Sequence, residues 1–586
     1  MELEARAIPV AMSADDRAAA RARSVAFHLA WLVPCLLMQA WFFNTQFAGL
    51  RAPDAMDAAQ VARHVSEGAG FTTSVIRPLS LARVPRAVGH PDLYNPPLYP
   101  LVLAVAFNVL GASDRAVGLV SAAFAFLTAL MTYLLGSRLL DRRAGVLAAL
   151  LVAFSIGVLK LGASGVNVTL VAFLLTTLCY LVARISGDSI RSWAGAGVVC
   201  AFAYLTDYAV LLLALSLGLI AVLGVKSGRL RALGAFVAGF AIAVLPWLIR
   251  NSVVAGSPFA HLRIYSLAMF GDVHPGSSLY RLASTQGVAP ITFIAGHYRE
   301  VIQKLLLNLG YTYSTIAGSY GVILTILLGL GLFTDLGTAA TNRTKWALVG
   351  GLVLMAMSLA VGQPSLDALS APVGLVAALG AVALVKAMDS RAVSPRARAA
   401  TVAAVLALTV FPAGLYALPR MRPTKVDLRN LDYLKRALPT NAVVVTDQPW
   451  SVAWHAGRTA VWVPSAAAPV PRQGERMLIT EAADVTKSKG FMALEKAGAR
   501  PDAIYMSSEL ASYPQQEGIG RWQLLYDVIG KQIDSAAAQQ GSSPGTVWVP
   551  DGWVLAATLP PRDFLLLRAE AAGLPKSTTP GKAGQS

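Results

Sequence analysis

About eleven apolar runs, each close to the length that crosses a bilayer, recur between residues 24 and 418. A membrane-spanning helix needs roughly 20 consecutive apolar residues. Charged residues make up only 14% of the chain, against about 25% in soluble proteins. The pattern predicts an all-α polytopic membrane protein. The predicted spans are residues 24–45, 115–137, 143–160, 166–185, 192–206, 208–225, 232–250, 313–333, 345–362, 367–387 and 398–418.

Basic residues predict the orientation of these spans, because cytoplasmic loops are rich in Lys and Arg. The formal net charge of +17 therefore indicates a membrane protein and no nucleic-acid partner. Residues 1–23 form a predicted cytoplasmic tail, and the loops after the second, fourth, sixth, eighth and tenth spans are all basic. An odd number of spans then puts residues 46–113, residues 251–312 and everything after 419 on the outer side.

The chain changes character after the transmembrane domain, predicted at residues 24–419. Residues 420–572 carry more charge and have strand-like runs at Ala442–Thr446, Thr459–Val463, Ala503–Met506 and Thr546–Val549, with helical patterns at Asp427–Leu438 and Glu481–Ala497. This mixture predicts a small α/β domain outside the membrane. The Gly- and Pro-containing tail, residues 573–586, is predicted to be disordered.

Cysteine and histidine give no sign of a metal centre. Cys35, Cys179 and Cys200 all lie in apolar runs, without the spacing of zinc ligands or of a disulfide framework. We therefore expect three inert buried thiols and neither a metal nor a cofactor. The isolated histidines His261, His274 and His297 are predicted to lie on loop surfaces.

The first outer loop, residues 46–113, carries two carboxylates just after the first span. Asp54 and Asp57 are three residues apart, so on a helix they share one face. Carboxylates at a membrane boundary need a functional reason, and a general base is one such role. Two structural alternatives stay open: Asp54 could be a helix N-cap, and Asp57 could simply favour the helix N-terminus.

This loop resembles that of the GT-C membrane glycosyltransferases. The nearest groups are glycosyltransferase family 39, the protein O-mannosyltransferases, and the bacterial lipid A aminoarabinose transferases. Their loop opens with an Asp-Glu pair, followed by an Ala/Ser-Arg step and a Gly. Pro53-Asp54, Ala62-Arg63 and Gly68 fit that spacing. Ala55 replaces the second acid, and Asp57 is a candidate for supplying the missing carboxylate.

Three further stretches resemble the same proteins. The resemblance covers roughly residues 25–260 well and the rest of the chain only in architecture. Asn95–Pro100 resembles the Pro-Pro-Leu segment that opens a second helix next to the membrane. Leu245–Asn251, followed by Gly256–Phe259, resembles the end of a later span. Trp454–Arg458 resembles a segment of the outer domain in bacterial members.

The resemblance implies transfer of a sugar, a hexose or pentose, from a polyprenyl-phosphate carrier to an acceptor hydroxyl, with inversion at the anomeric carbon. Asp54 would be the base, with Asp57 assisting. Cations would stabilise the leaving phosphate, and the candidates are Arg77, Arg83, Arg86, Lys160 and Arg250. The candidates for the substrate pocket are His64, Tyr94, Asn95 and Tyr99.

These cations also have structural interpretations. Lys160 and Arg250 end spans on the predicted outer side, where long side chains reach back to the interface. The arginines between residues 77 and 86 are more typical of a solvated loop. Asp207, between two spans, is predicted to make a structural ion pair rather than to bind substrate.

Two other functions remain open. A transporter of lipid-linked saccharide would share the spans and the lipid, but it predicts interrupted helices and charges deep inside spans. A relative that lost activity with the acid at Ala55 would bind lipid without turnover. The expected location is a bacterial inner membrane with the C-terminal domain in the periplasm, where the acceptor would be a glycan such as lipopolysaccharide, a lipid or a protein.

Overall fold

The computed structural model describes most of the chain. The described residues are 14–185, 189–225, 227–270, 274–283, 290–337, 339–362, 369–391, 393–420, 425–465, 479–513, 519–538 and 547–570. The predicted tail at residues 573–586 lies outside them.

Helices dominate the first 420 residues because long apolar runs satisfy their backbone hydrogen bonds internally when they are helical. Their bounds are α1 Ala14–Gln46, α2 Pro53–Ser66, α3 Pro78–Leu81, α4 Leu98–Leu110, α5 Asp114–Leu139, α6 Arg142–Phe154, α7 Ile156–Gly162, α8 Val168–Arg184, α9 Ile190–Thr206, α10 Leu211–Gly224, α11 Arg229–Ala255, α12 Pro290–Gly296, α13 Tyr298–Tyr320, α14 Val322–Phe333, α15 Ala339–Val361, α16 Val373–Ser390 and α17 Pro395–Ala417.

Every predicted span coincides with helix, although not always with one straight helix. Within the described ranges, five helices are long and apolar enough to cross a membrane. A sixth span results if α6 and α7, which meet at a bend of 59°, are counted as one. The predicted span 313–333 is divided at Gly321, which has φ +82° and separates α13 from α14. The number of eleven spans therefore stays a prediction.

Contacts between loops agree with the alternation of sides that the basic residues predicted. At one end of the bundle Arg143 pairs with Asp389 at 3.0 Å, and Lys386 donates to the Asp335 carbonyl at 2.6 Å. Both contacts join loops predicted to be cytoplasmic. At the other end the backbone N–H of Val426 donates to the Ala48 carbonyl at 3.3 Å. Which end faces the cytoplasm stays a prediction.

The described residues between 425 and 570, about a quarter of the chain, form the predicted α/β unit, and we call it the outer domain. Its helices are α18 Arg429–Ala437, α19 Pro449–Ser451, α20 Ile479–Ala483, α21 Lys489–Lys496 and α22 Gly520–Ala538. The strands in the described residues are β1 Thr72–Thr73, β2 Val75–Ile76, β3 His90–Pro91, β4 Val443–Thr446, β5 Thr459–Trp462, β6 Ala503–Met506, β7 Trp553–Leu559 and β8 Asp563–Arg568.

The sheet of the outer domain has the order β2-β5-β4-β6-β8-β7. Strands β2, β5, β4 and β6 are parallel, whereas β8 and β7 form an antiparallel hairpin at one edge. Strand β2 belongs to the first outer loop, and its Val75 pairs with Ala460. The loop that carries Asp54 is therefore built into the sheet of the outer domain.

Three of the four predicted strands are confirmed, and the fourth is wrong. Residues 547–550 are not strand, and β7 begins three residues after Pro550. Proline has no N–H to donate to a sheet, and Gly552 with φ +80° makes a turn before the strand. The predicted helix Glu481–Ala497 is two helices, α20 and α21, around a short 3-10 turn at Val485–Lys487. The three cysteines are buried, as predicted.

Candidate functional site

A cavity of about 790 Å³ lies between the first outer loop, helices α8 to α11 and residues 259–267. Helix α11 supplies an apolar wall of Phe240, Val244, Leu245 and Leu248. The opposite side is polar. Its charged, aromatic and amide side chains are Asp54, Tyr94, Asn167, Asp207, Tyr208, His261, Arg263 and Tyr280.

Asp54 lies in the first turn of α2 and faces this cavity. Pro53 begins the helix. Proline is favoured at this position because an N–H group there would have no intrahelical partner, so its absence costs nothing. The N-cap is Ala52, and it makes no side-chain capping bond. Asp54 is therefore not the N-cap, and its carboxylate is exposed in the cavity.

Asp57, one turn later, is in a different environment. Its carboxylate is 0% exposed and accepts a hydrogen bond from Arg77 at 2.6 Å and one from Gln60 at 3.1 Å. Burial alone would lower the pKa of Arg77, but Asp57 and Tyr94 raise it above its ordinary value. Two predicted site residues therefore bind each other, and neither is among the described residues that line the cavity.

Tyr94 connects this buried pair to the cavity. The Arg77 guanidinium lies 3.5 Å from the centre of the Tyr94 ring, and the Arg263 guanidinium lies 4.8 Å from it. Cations over an aromatic face are attracted by the ring quadrupole. Tyr280 packs edge-on against the same ring at 5.6 Å. Tyr94 is thus held in place and in turn orients Arg263.

Among the described residues that line the cavity, Arg263 supplies the permanent positive charge, and it was not one of the predicted site residues. Its Nε is buried without a hydrogen-bond partner in the described part of the chain. Burial alone would lower its pKa, but the nearby Tyr94, Asp207 and Asp54 raise it above the ordinary value. Arg263 lines the cavity, and a charged guanidinium in such a position can donate hydrogen bonds to an anion.

His261 does not lie on a loop surface, so that prediction was wrong. Its ring lies 4.5 Å from that of Tyr208, and it lines the cavity. Burial, together with Arg263, lowers the pKa of His261 to about 4, so the imidazole is neutral at pH 7. Its Nδ1 is buried without a partner among the described residues. His261 directly precedes a 3-10 helix, Leu262–Ala268, that carries Arg263, and no local sequence signal distinguished these two side chains from surface residues.

The remaining predicted cations lie away from the cavity. Arg250 donates to the Phe71 carbonyl at 3.1 Å and lies 4.7 Å from the Trp247 ring. Lys160 is exposed and lies 4.1 Å from the Tyr416 ring. Arg83 and Arg86 are exposed on the first outer loop. Their assignment to the donor phosphate stays an untested prediction that this geometry does not favour.

Of the four predicted pocket residues, Tyr94 alone is among the described residues that line the cavity. Asn95 donates to the buried Asp92 at 2.7 Å. Burial, and next to it the charge of Asp57, raises the pKa of Asp92. The Tyr99 hydroxyl donates to the Gly165 carbonyl at 2.6 Å. The His64 ring bonds to Thr72 at 3.0 Å. These three side chains fix the loop around the cavity.

Comparison with known families gives the class of the fold. The family model described as dolichyl-phosphate-mannose-protein mannosyltransferase matches residues 94–249, a little over a quarter of the chain. This stretch runs from Tyr94 through the apolar wall of α11. No curated protein sequence matches the chain significantly.

Two solved structures share the architecture. One is ArnT from Cupriavidus metallidurans bound to undecaprenyl phosphate, with TM-score 0.55, 11% identity, and coverage of 93% of this chain and 98% of that chain. The other is the oligosaccharyltransferase AglB from Archaeoglobus fulgidus in complex with an inhibitory peptide and a dolichol-phosphate, with TM-score 0.53, 14% identity, and coverage of 84% of this chain and 72% of that chain. The resemblance to GT-C membrane glycosyltransferases inferred from the loop motifs is thereby confirmed.

Proposed function

We propose that this protein transfers a sugar from a polyprenyl-phosphate carrier to an acceptor hydroxyl at the membrane surface, with Asp54 as general base. One observation carries the proposal. Asp54, the only exposed carboxylate of helix α2, shares a cavity with the charged Arg263 and with the apolar wall of α11. A base, an anion-binding cation and an apolar surface are the three groups that such a reaction needs.

The proposed chemistry uses these groups in a single displacement. The acceptor oxygen attacks the anomeric carbon while Asp54 takes the hydroxyl proton. The bond between the anomeric carbon and the phosphate oxygen breaks, and the polyprenyl phosphate leaves with an additional negative charge. Arg263 stabilises that charge, as a positioned cation does in a site of low dielectric constant. Attack opposite to the leaving phosphate inverts the anomeric carbon.

The apolar wall suits the lipid part of the donor. Phe240, Val244, Leu245 and Leu248 lie on successive turns of α11 and face the cavity. Leu245 is nevertheless 52% exposed, so the wall continues to the outer surface of the helix bundle. A polyprenyl chain would lie along this wall while its phosphate reaches Arg263. Burial of apolar surface stabilises such a chain by roughly 25 cal/mol per Å².

Asp57 has a supporting role in this proposal. The buried Asp57–Arg77 pair fixes Tyr94, and Tyr94 orients Arg263. The loss of an acid at Ala55 then does not remove the base. The reaction needs no metal, and the protein would work in a bacterial inner membrane with its cavity toward the periplasm.

Sugar transfer in membranes tests the proposal. Membranes containing the protein are supplied with a panel of radiolabelled polyprenyl-phosphate sugars, and wild type is compared with Asp54→Asn. We expect transfer from one donor and a loss of about 10³-fold in the variant, with the protein level unchanged. The matched control is Asp551→Asn, which alters a carboxylate on the surface of the outer domain whose side chain is 84% exposed.

Other outcomes would decide against the proposal. Absence of transfer from every donor, together with protein-dependent movement of the labelled lipid across the bilayer, would favour a transporter. Binding of the labelled lipid with neither transfer nor movement would favour the inactive relative. Full activity of Asp54→Asn beside an active wild type would remove Asp54 from the chemistry.

A further inference from the structure

Two sequence motifs with no part in the proposed chemistry contact each other. Arg63, from the Ala-Arg step of the first outer loop, lies against Trp454 of the outer domain. We propose that the segment Val452–Ala456 holds helix α2 at both ends and so sets the position of Asp54 in the cavity. This inference rests on the proposed function, and it makes Arg63, Asp114 and Trp454 positioning residues.

The first contact holds the C-terminal end of α2. Arg63 donates one hydrogen bond to the Trp454 carbonyl at 2.9 Å and another to the Ala453 carbonyl at 2.8 Å. Its guanidinium also lies 5.0 Å from the centre of the Trp454 ring. Arginine suits this contact because its planar fork can donate to two acceptors at once.

The second contact holds the chain that leads into α2. The indole Nε1 of Trp454 donates to one oxygen of Asp114 at 2.6 Å. The other oxygen of Asp114 accepts from the backbone N–H of Leu50 at 3.0 Å. Leu50 precedes Pro53, the first residue of the helix. Trp454 therefore reaches one end of α2 through its carbonyl and the other end through its indole.

The chain just before α2 also packs closely against Asp114. Gly49 has φ +112°, and a Cβ there would lie 3.0 Å from the second Asp114 oxygen and 3.2 Å from Val426 of the outer domain. A larger residue would be strained by its backbone conformation and would displace one of these neighbours. The position of Leu50, and hence the start of α2, thus depends on Asp114.

The backbone of the segment Val452–Ala456 has an unusual conformation. Residues Val452–Ala456 form a π-helical turn that ends at Gly457, which has φ +64°. Such turns occur often at functional sites. Ala453 and Trp454 lie within the last turn of this segment, where helix carbonyls have no intrahelical partner, and Arg63 donates to both of them. The segment is buried except for partial exposure of His455.

The variant Trp454→Phe tests the proposal, because it removes the indole donor and keeps a ring next to Phe107, whose centroid lies 6.0 Å away. Its matched control is Trp522→Phe, which removes a buried indole bond of 3.0 Å to the Pro464 carbonyl elsewhere in the outer domain. Two quantities are measured: amide hydrogen exchange over residues 50–58, and kcat and KM for the transferred polyprenyl-phosphate sugar.

We expect Trp454→Phe to speed exchange over residues 50–58 and to lower kcat about tenfold, since small displacements of a reacting group are costly. The KM for the donor should stay within about twofold, because Arg263 and the apolar wall are untouched. Trp522→Phe should change neither quantity. Arg63→Ala should likewise lower kcat, and Arg63→Lys should recover part of it by keeping one of the two carbonyl bonds.

Two results would overturn the proposal. Unchanged exchange over residues 50–58 in Trp454→Phe would show that the segment does not hold the helix. Faster exchange with unchanged kcat would show that holding the helix does not position the base. Absence of transfer by wild type would instead contradict the proposed function, while the exchange experiment would still decide whether the helix is held.

Discussion

Two carboxylates on neighbouring turns of helix α2 lie in opposite environments. On the cavity side, Asp54 is exposed and carries no capping bond. One turn later, Asp57 is fully buried and bound to Arg77. A carboxylate with an ion pair at 2.6 Å has its charge neutralised in place, whereas an open one can still accept a proton. The comparison favours Asp54 for the proposed chemistry and Asp57 for structural support.

The largest stability effect should come from the buried side. Asp57→Asn would leave the Arg77 charge buried without its counter-ion, which costs about 3 kcal/mol. We expect a clearly lower thermal unfolding temperature in detergent. The double variant with Arg77→Gln should recover part of the loss, because it removes the unpaired charge. Loss of transfer with an unchanged unfolding temperature would instead return Asp57 to the chemistry.

Substitutions at the cavity should lower the rate of sugar transfer. Arg263→Gln removes the cation expected to face the donor phosphate, and we expect transfer to fall about 10²-fold. Arg250→Gln is the comparison, because Arg250 is already bound to the Phe71 carbonyl and should cost much less. Steady-state kinetics with varied donor distinguish the two. A larger loss from Arg250→Gln would show that the phosphate lies outside the cavity described here.

A smaller effect is expected in the pH dependence of folded stability. Burial and Arg263 lower the pKa of His261 to about 4 in the folded protein, from about 6.5 when unfolded. Between these values only the unfolded chain takes up the proton, so folded stability falls as the pH falls from about 6.5 to about 4. His261→Gln should lose less stability over this window. Equal pH profiles of unfolding temperature would show that His261 is not buried as described.

The smallest effect is expected at the exposed arginines of the first outer loop. Arg83→Ala and Arg86→Ala each change a solvent-exposed side chain, and such changes usually cost less than about 0.5 kcal/mol. Transfer rates should therefore stay within about twofold of wild type. A tenfold rise in the KM for the donor in either variant would place the phosphate on the loop rather than at Arg263.

The apolar periodicity of the chain predicted most of the helical architecture, because a bilayer demands long runs that can be read directly. The apolar pattern did not predict the break between α13 and α14 at Gly321, since a single glycine inside an apolar run does not by itself indicate that a helix ends. The hairpin of β7 and β8 was missed as well. The prediction placed a strand too early, before Pro550 rather than after it.

The candidate site was only partly predictable. The loop motif predicted Asp54 as a site residue, because its spacing from Ala62-Arg63 lies within one short segment of the sequence. The partner of Asp57 and the cation of the cavity depend on how distant segments pack. Arg77 and Arg263 are both arginines in outer loops, and nothing local distinguishes the buried partner of Asp57 from the side chain that faces the cavity.

The two-residue strand β2 has a consequence for how this protein is made. It joins an early loop to strand β5, near the other end of the chain. Pairings between such distant segments form slowly, and chains fold from the N-terminus as they are synthesised. The loop with Asp54 is therefore translated long before the sheet that completes it. A nascent chain already inserted in the membrane would remain inactive until its last domain had folded.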